Sequence, residues 1–385
     1  MIAADRGSNI SYENFTSAVQ SSDLLLKILF LSGLVLVLLS GRRKHMTSNL
    51  PMKAYVRQGN LIANLAFTNQ ASRPSFDEEG QDKNGVLVKV ISASINPFDY
   101  KAPKIMAGKV VGLDFCGTVT QVGKDASSKF KIGDLVFGCN LGTLAEFISV
   151  PTTQIAKAAM NWKPHELGCI AVAYVSPLTA LKAGQVLDSN YKKVEGKDSI
   201  LVIGASGGTG IASLQLAKAL GFKRIVAICS SKNATFVKEN GATEVVDYTN
   251  EREMIQFFGE NFGTFDMVLD CATNSGHGED YWNKSVQLLK RNKDYTFSGN
   301  YVALNGPPVK LLRYFFGMQK PNEKLIIATV ENTSKDLEQI VEMLNKTGAR
   351  PHTHRFIFDP VGIESGFELL KSRRTKGKIV FDISG

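Results

Sequence analysis

Hydrophobic residues follow three different patterns along the chain. Residues 24–41 form one long apolar run inside an otherwise polar N-terminal tail. Between residues 53 and 180, short apolar segments such as 86–94 and 110–122 alternate with glycine-containing turns. Short strands separated by turns in this way are typical of a β-rich domain. We therefore predict a small barrel-like β domain over residues 50–185.

From about residue 198, apolar strands alternate with amphipathic helices. The predicted helices cover residues 208–220, 233–240, 251–258, 281–290, 334–346 and 361–371. Such alternation is typical of a parallel, doubly wound sheet with helices on both faces. We predict this α/β domain over residues 186–305. Residues 306–385 are expected to return to the β domain and complete it.

The run 24–41 has the length of a membrane-spanning helix. It contains 18 residues, and a bilayer needs about 20, with a lower limit near 17. Basic residues 42–44 follow at once, and positive charges of this kind stay on the cytosolic side. We therefore expect a single-pass anchor on residues 24–41, within a tail of residues 1–45, and a catalytic domain that faces the cytosol. A cleaved secretory signal is disfavoured because no A-x-A site follows, and a start at Met46 would make the protein cytosolic.

The composition excludes several classes of protein. Hydrophobic residues make up 44% and charged residues 21% of the chain, as in globular domains. The net charge of +9 suits a solvated surface or an anionic cofactor, but no basic run with interleaved aromatic residues suggests nucleic acid. The cysteines form no Cys-x-x-Cys pair and are expected to be reduced thiols. They are Cys116, Cys139, Cys169, Cys229 and Cys271.

A glycine-rich segment follows the first strand of the predicted parallel sheet. Residues 204–210 read Gly-Ala-Ser-Gly-Gly-Thr-Gly and open a helix. Glycines let the chain approach a pyrophosphate closely, and the helix N-terminus offers backbone amides to it. The predicted contacts in this turn are Ser206, Gly207, Gly208, Thr209 and Gly210.

The end of the second strand indicates which dinucleotide binds. An acidic residue at this point would hold the ribose 2′-hydroxyl of NAD. The chain has Ser230, Ser231 and Lys232 instead, which offer two hydroxyls and an ammonium to a 2′-phosphate. This favours NADPH, although Ser231 could equally cap the next helix. Tyr248 would lie near the adenosine phosphate or end its strand as a packed aromatic residue.

Seven segments of the chain match a known family in its order. They are SINPFDYK (94–101), GLDFCGTVTQVG (112–123), KIGDLVFG (131–138), AEFISV (145–150), SPLTAL (176–181), ASGGTG (205–210) and TKGKIVFD (375–382). The chain resembles the medium-chain dehydrogenase/reductase superfamily, and most of all its zinc-independent quinone and enone oxidoreductases. The resemblance implies a GroES-like substrate domain, a Rossmann domain and a cleft between them.

The resemblance also bears on metal and reaction. Zinc-dependent members carry a cysteine ligand where this chain has Ile95-Asn96, and Gly-His-Glu where it has Gly112-Leu113-Asp114. We therefore expect no metal. Without a Lewis acid, hydride transfer to an activated alkene or a quinone is easier than alcohol chemistry. The expected partner is a small hydrophobic carbonyl or quinone substrate, in a possible homodimer.

Site residues are carried over from the family position by position. Asn96, Tyr100 and Lys101 would be catalytic, although they could instead be a turn residue, a packed aromatic residue and a surface cation. The resemblance further implies cofactor contacts at Thr179, Ala272, Ser298, Gly299, Gly377 and Lys378. Lys378 could also be a charge at the start of a strand.

Two other functions stay open. The segment between Lys101 and Gly112 is shorter than in most relatives, which would alter the substrate pocket and suit an enoyl-thioester reductase of lipid metabolism. A non-catalytic NADPH-binding scaffold is the other possibility, because a fold alone does not prove activity.

Overall fold

Two β-sheets and a hairpin carry the fold in a computed structural model of the chain. The structure describes residues 47–59, 64–102, 104, 108–273, 281–304, 322–325 and 334–384. The strands are β1 (Thr47–Gln58), β2 (Asn64–Pro74), β3 (Gly85–Ile95), β4 (Asp114–Val122), β5 (Leu135–Cys139), β6 (Phe147–Pro151), β7 (Ile155–Lys157), β8 (Ser199–Ile203), β9 (Arg224–Cys229), β10 (Glu244–Asp247), β11 (Met267–Asp270), β12 (Asn300–Ala303), β13 (Glu323–Leu325), β14 (Thr353–Ile357) and β15 (Lys378–Asp382).

Four of the nine helices in the described part of the chain lie between strands of the second sheet. They are α1 (Pro97–Lys101), α2 (Pro164–Leu167), α3 (Ile170–Ala183), α4 (Gly208–Ala219), α5 (Ala234–Glu239), α6 (Glu251–Glu260), α7 (Trp282–Ser285), α8 (Ser334–Thr347) and α9 (Pro360–Lys371). Short 3₁₀ helices cover Lys124–Ala126, Thr152–Gln154, Ser231–Asn233 and Val286–Leu288.

The first sheet is the predicted β-rich domain. Its strands run in the order β14-β15-β3-β4-β5-β7, with β6 paired to β3, and β1 and β2 form a separate antiparallel hairpin. The strands enclose a core of aliphatic and aromatic side chains that includes Val88, Phe115 and Phe381. Antiparallel strands whose side chains alternate between a buried and an exposed face produce such a core.

The second sheet is parallel and doubly wound, as predicted. Its order is β10-β9-β8-β11-β12-β13, and every neighbouring pair is parallel. Every residue of the central strand β8 is buried because helices cover both faces. The carboxyl ends of its strands therefore meet at one edge, where ligands of such sheets bind.

The chain returns to the first sheet later than predicted. β13 pairs with β12, and α8 packs against α3 and α4, so both belong with the parallel sheet although they lie within residues 306–385. The apolar face of α8 explains this difference, since apolar side chains that recur at helical spacing have to be covered by neighbouring elements. Among the described residues of 306–385, only β14, α9 and β15 join the first sheet.

The predicted membrane anchor and its localisation need correction. The run 24–41 lies outside the described residues. Among the residues that the structure does describe, no helix has the length and apolar character required to cross a bilayer. The helices α3 and α8 reach only 14 residues each, against about 20 for a spanning helix. A membrane-anchored protein is therefore not supported.

The packing of α8 can be tested with matched leucine substitutions. Leu344 of α8 is fully buried, whereas Leu50 is 59% exposed. We expect Leu344→Ala to lower the free energy of unfolding by about 3 kcal/mol, because it leaves a cavity in the core. Leu50→Ala should cost less than about 0.5 kcal/mol. Urea unfolding of both variants measures the difference, and equal losses would contradict the assignment of α8 to this core.

Candidate active site

The glycine turn between β8 and α4 forms one side of the site. Gly204 has φ +74°, a left-handed conformation that favours glycine. A Cβ on Gly210 would lie 2.4 Å from the Gly204 carbonyl oxygen, so only glycine allows α4 to start this close to the strand. A Cβ on Gly207 would meet the described chain only at that same oxygen, 3.6 Å away. The first backbone amides of α4 thus lie open to an anion.

Asn233 connects this turn to the end of β9. Its Nδ2 donates hydrogen bonds to Ser206 Oγ at 3.1 Å and to Ser230 Oγ at 3.2 Å. Because each hydroxyl accepts from Asn233, its own proton remains available for a ligand. The Asn233 side chain is buried, and its Oδ1 has no hydrogen-bond partner in the described part of the chain. The sequence did not identify Asn233 as a site residue. The one indication was its position directly after Lys232.

The other residues expected to contact the adenosine group lie at the surface beside it. Ser231 and Lys232 are exposed, and Tyr248 is held close because its backbone N–H donates to the Cys229 carbonyl at 3.2 Å. The carboxylate of Asp247 is a neighbour that the sequence analysis overlooked. Hydrogen bonds from Thr249 and then from Ser231 hold its pKa below the ordinary value, so this carboxylate is already engaged by the protein.

These features together fit a dinucleotide. The open helix N-terminus suits a pyrophosphate, and the unpartnered Asn233 Oδ1 with its two serine hydroxyls suits a ribose or a phosphate ester. Lys232 is the nearby exposed cation. The residues present therefore fit NADPH, and they would hold its phosphates and adenosine ribose.

A buried polar cluster lies on the other side of the turn. The Lys378 ammonium donates hydrogen bonds to Asn96 Oδ1 at 2.6 Å, to Asp114 Oδ2 at 3.2 Å and to the Ile95 carbonyl at 3.3 Å. Asp114 Oδ2 also accepts from Asn96 Nδ2 at 2.9 Å and from Ser94 Oγ at 2.8 Å. We call Ser94, Asn96, Asp114 and Lys378 the Lys378 cluster.

Lys378 joins this cluster to the glycine turn. Gly377 pairs with Gly207 as an isolated parallel bridge, and a Cβ on Gly208 would lie 2.9 Å from Lys378 Cδ. The lysine stem therefore runs against the start of α4 while its ammonium reaches the end of β3. Three protein acceptors surround that ammonium, so its contact with a cofactor would come from its stem or backbone.

Asn96 has one donor left for a ligand. Its Oδ1 is taken by Lys378 and one Nδ2 proton by Asp114, and the amide carries a second proton. The side chain is 7% exposed, at the N-terminus of α1. Asp99 holds this helix start, because its carboxylate accepts from the Asn96 and Gly112 backbone N–H groups.

Among the described residues, no hydrogen bond joins Tyr100 or Lys101 to the Lys378 cluster. The Tyr100 ring is partly buried against the core of the first sheet, and burial raises the pKa of its hydroxyl. Lys101 is exposed, and its ammonium lies 5.8 Å from the centre of the Tyr100 ring. The structure therefore brings Asn96 and Lys378 together but not these two residues with them.

The remaining predicted contacts divide between the two edges of the parallel sheet. Ala272 packs against Gly204 at the carboxyl edge, and Thr179 is partly buried on α3. Ser298 and Gly299, which the resemblance implies as cofactor contacts, precede β12 and so lie at the amino edge of the sheet, away from the carboxyl edge where ligands of such sheets bind. β12 begins only at Asn300, and the Ser298 carbonyl accepts a hydrogen bond from Lys197 Nζ at 2.8 Å at the amino edge.

Comparison with known proteins places the chain in a family. A model described as alcohol dehydrogenase GroES-like domain matches residues 82–160, and one described as zinc-binding dehydrogenase matches residues 208–346. A trans-enoyl reductase of Aspergillus terreus is 29% identical over 351 residues, which cover 84% of this chain and 93% of that protein. The chain belongs to the medium-chain dehydrogenase/reductase superfamily.

Other relatives of this superfamily member are reductases too. A 2-methylene-furan-3-one reductase of Solanum lycopersicum is 27% identical over 314 residues, 77% of this chain and 71% of that protein. The quinone oxidoreductase structure from Coxiella burnetii has a TM-score of 0.67 at 22% identity and covers 87% of this chain and all of that one. Mycobacterial Rv1454c complexed with NADPH has a TM-score of 0.65 at 19% identity, over 87% of this chain and 100% of that one.

The resemblance aligns Ile95-Asn96 and Gly112-Leu113-Asp114 with the zinc-ligand segments of zinc-dependent members. In the structure, the Lys378 ammonium is bonded to Asn96 of the first segment. Within the described ranges, no three histidine, cysteine or acidic side chains gather as a metal site. A lysine ammonium beside Asp114 would repel a divalent cation.

Cofactor preference provides one test of this site. Lys232→Ala should weaken NADPH binding by about tenfold and leave NADH binding unchanged, because only NADPH carries the 2′-phosphate. Lys238→Ala, another exposed lysine further along α5, is the matched control. Fluorescence titration of both cofactors gives the dissociation constants. A parallel loss of NADH and NADPH affinity would contradict the assigned role.

The buried Asp99 carboxyl provides a second test. Burial is the main cause that raises its pKa from 3.8 to about 6, against hydrogen bonding by Asn96. Between about pH 4 and 6 the native state therefore binds a proton that the unfolded state has lost, so stability falls as the pH rises. We expect the unfolding free energy of wild type minus that of Asp99→Asn to fall by up to about 3 kcal/mol from pH 4 to 7. Urea unfolding across this range measures it, and a constant difference would refute the shift.

Proposed function

We propose that this protein uses NADPH to reduce a carbon–carbon double bond conjugated to a carbonyl group, or a quinone, without a metal ion. The observation that carries the proposal is the Lys378 cluster, which lies directly beside the glycine turn. The trans-enoyl reductase and the furanone reductase among the relatives support alkene reduction in general.

Asn96 is the residue we assign to the reacting carbonyl. Bound NADPH would supply the hydride, which the side chains of the protein cannot. Negative charge then gathers on the carbonyl oxygen, and a preorganised donor stabilises it. The second Nδ2 proton of Asn96 is such a donor, and the bond from Lys378 to Oδ1 polarises the amide and strengthens it. Asp114 balances the lysine charge, so the pair is neutral.

Tyr100 is a weaker candidate for the proton donor. Burial raises the pKa of its hydroxyl, which makes it a poorer acid. Two lysine ammonium groups lie near its ring, Lys101 Nζ at 5.8 Å and Lys371 Nζ at 6.0 Å from the ring centre. We therefore propose that a proton reaches the α-carbon from solvent, with Lys101 as the nearest exposed cation on α1.

Enoyl thioesters are the second candidate substrates. The name of the Aspergillus terreus relative favours them over free quinones. NADPH oxidation with an enoyl thioester, a small enone and a quinone separates the two classes. Purified protein that binds NADPH but oxidises it with none of them would favour a non-catalytic scaffold. Loss of activity on chelation, with metal bound in equal amount to protein, would refute metal independence.

The role of Lys378 can be separated from that of the cofactor turn. Lys378→Met alone would leave Asp114 buried without its counter-ion, so the double variant Lys378→Met with Asp114→Asn keeps the site neutral. We expect kcat/KM to fall about 100-fold, while the NADPH dissociation constant stays within about threefold. Lys89→Met, at an exposed lysine of β3, is the control. An equal loss in NADPH affinity would show that Lys378 acts through the cofactor turn instead of through Asn96.

A further inference from the structure

Positive charge gathers where the chain leaves α9. Residues 371–376 read Lys-Ser-Arg-Arg-Thr-Lys, and the first four of them are exposed. Lys101, at the end of α1, lies near this segment, because its ammonium and that of Lys371 lie 5.8 Å and 6.0 Å from the centre of the same ring, that of Tyr100. In the described part of the chain, no acidic side chain forms an ion pair with Lys101, Lys371 or Arg373. We call these three residues the basic triad.

Two members of the triad lie near the Tyr100 ring. Lys101 Nζ lies 5.8 Å and Lys371 Nζ lies 6.0 Å from the centre of this ring. Burial, and after it the charge of Arg373, lowers the pKa of Lys101. Arg373 thus acts on Lys101 as a like charge, so an anion placed beside them would remove an unfavourable interaction.

Arg373 has an unfavourable backbone conformation. Its φ is +59°, in the left-handed region, directly after the end of α9. Glycine is the usual residue at such a position, and a larger side chain there costs about 1 kcal/mol. An arginine therefore occupies a position where a glycine would be more stable. What the arginine adds, and a glycine lacks, is a charged side chain.

The basic triad lies at the edge of the site. The segment that follows Arg373 reaches Gly377, which pairs with Gly207 of the glycine turn. Lys101 ends the helix that Asn96 begins. An anion on the triad would thus lie one short helix away from the proposed reacting group.

We propose that Lys101, Lys371 and Arg373 form a subsite for a phosphate group on the carrier portion of a thioester substrate. The proposal rests on the proposed reductase function and specifies its substrate class. The acyl chain would enter the site toward Asn96, and the phosphate of the carrier would remain outside at the triad.

The cofactor is the other possible source of phosphate. Lys376 lies on its side of the site, with Nζ 5.8 Å from the ring of Phe236 on α5, just after Ser231–Asn233. The triad surrounds Tyr100 instead. Binding of NADPH and binding of substrate therefore have to be measured separately.

Two thioesters that differ only in the carrier test the subsite. Crotonyl-coenzyme A carries phosphates, and crotonyl-N-acetylcysteamine has the same reacting group without them. We expect Lys371→Gln with Arg373→Gly to raise KM for the coenzyme A ester about tenfold, as expected for the loss of two exposed charge contacts. KM for the N-acetylcysteamine ester and the NADPH dissociation constant should change less than twofold. Arg373→Lys should keep most of the affinity, and Lys129→Gln is the control for loss of an unrelated exposed lysine.

Stability gives a readout independent of turnover. Arg373→Gly alone should raise the melting temperature, because it relieves the left-handed strain, while it weakens binding of coenzyme A to the NADPH-loaded protein in calorimetry. Equal changes in KM for both esters, or a matching loss of NADPH affinity, would overturn the subsite. If wild-type protein reduced neither ester but did reduce a quinone, the thioester proposal would fail. The triad would then have no carrier phosphate to bind. If it reduced both esters with equal KM, only the subsite would fail.

Discussion

The buried ion pair of Lys378 and Asp114 constrains much of the structure around it. An ammonium group taken out of water costs several kcal/mol unless a carboxylate and further acceptors surround it. Asp114 is the first residue of β4, Ile95 is the last residue of β3, and Asn96 follows it. These strands must lie in register for all three acceptors to reach one lysine. Lys378 begins β15, which pairs with β3. The same residue follows Gly377, whose pairing with Gly207 positions the cofactor turn beside the first sheet.

This arrangement has a consequence for catalysis. A metal ion would polarise a substrate directly, whereas in the proposed reaction the lysine charge would act through the Asn96 amide and would be balanced by Asp114. The resulting field at a carbonyl oxygen is weaker than that of zinc, which matches a reaction in which the alkene is already activated by its own carbonyl. The amide is also held rigidly, because both of its polar atoms have partners. Such preorganisation costs nothing when charge develops.

The glycine turn and the basic triad are two very different environments for an anion. At the glycine turn, backbone amides face outward and side chains are small, so a phosphate can approach the helix closely. At the basic triad, long flexible cations surround an aromatic ring at the surface. The first setting is rigid and suits a cofactor of constant shape. The second is adaptable and screened by salt, and it suits a phosphate on a variable carrier.

Local patterns in the sequence determined the two kinds of sheet, the glycine turn and most of the helix boundaries, because these depend on periodicity and on the special conformations of glycine. The family resemblance, and not a local pattern, supplied Ser298 and Gly299, which precede β12 at the amino edge of the sheet. Local patterns also gave no sign that Asp114 is a partner of Lys378, although both lay in matched segments. Residues 264 positions apart meet only when β15 pairs with β3. Tertiary structure alone decided which buried charges face each other, because that depends on strand order and not on spacing along the chain.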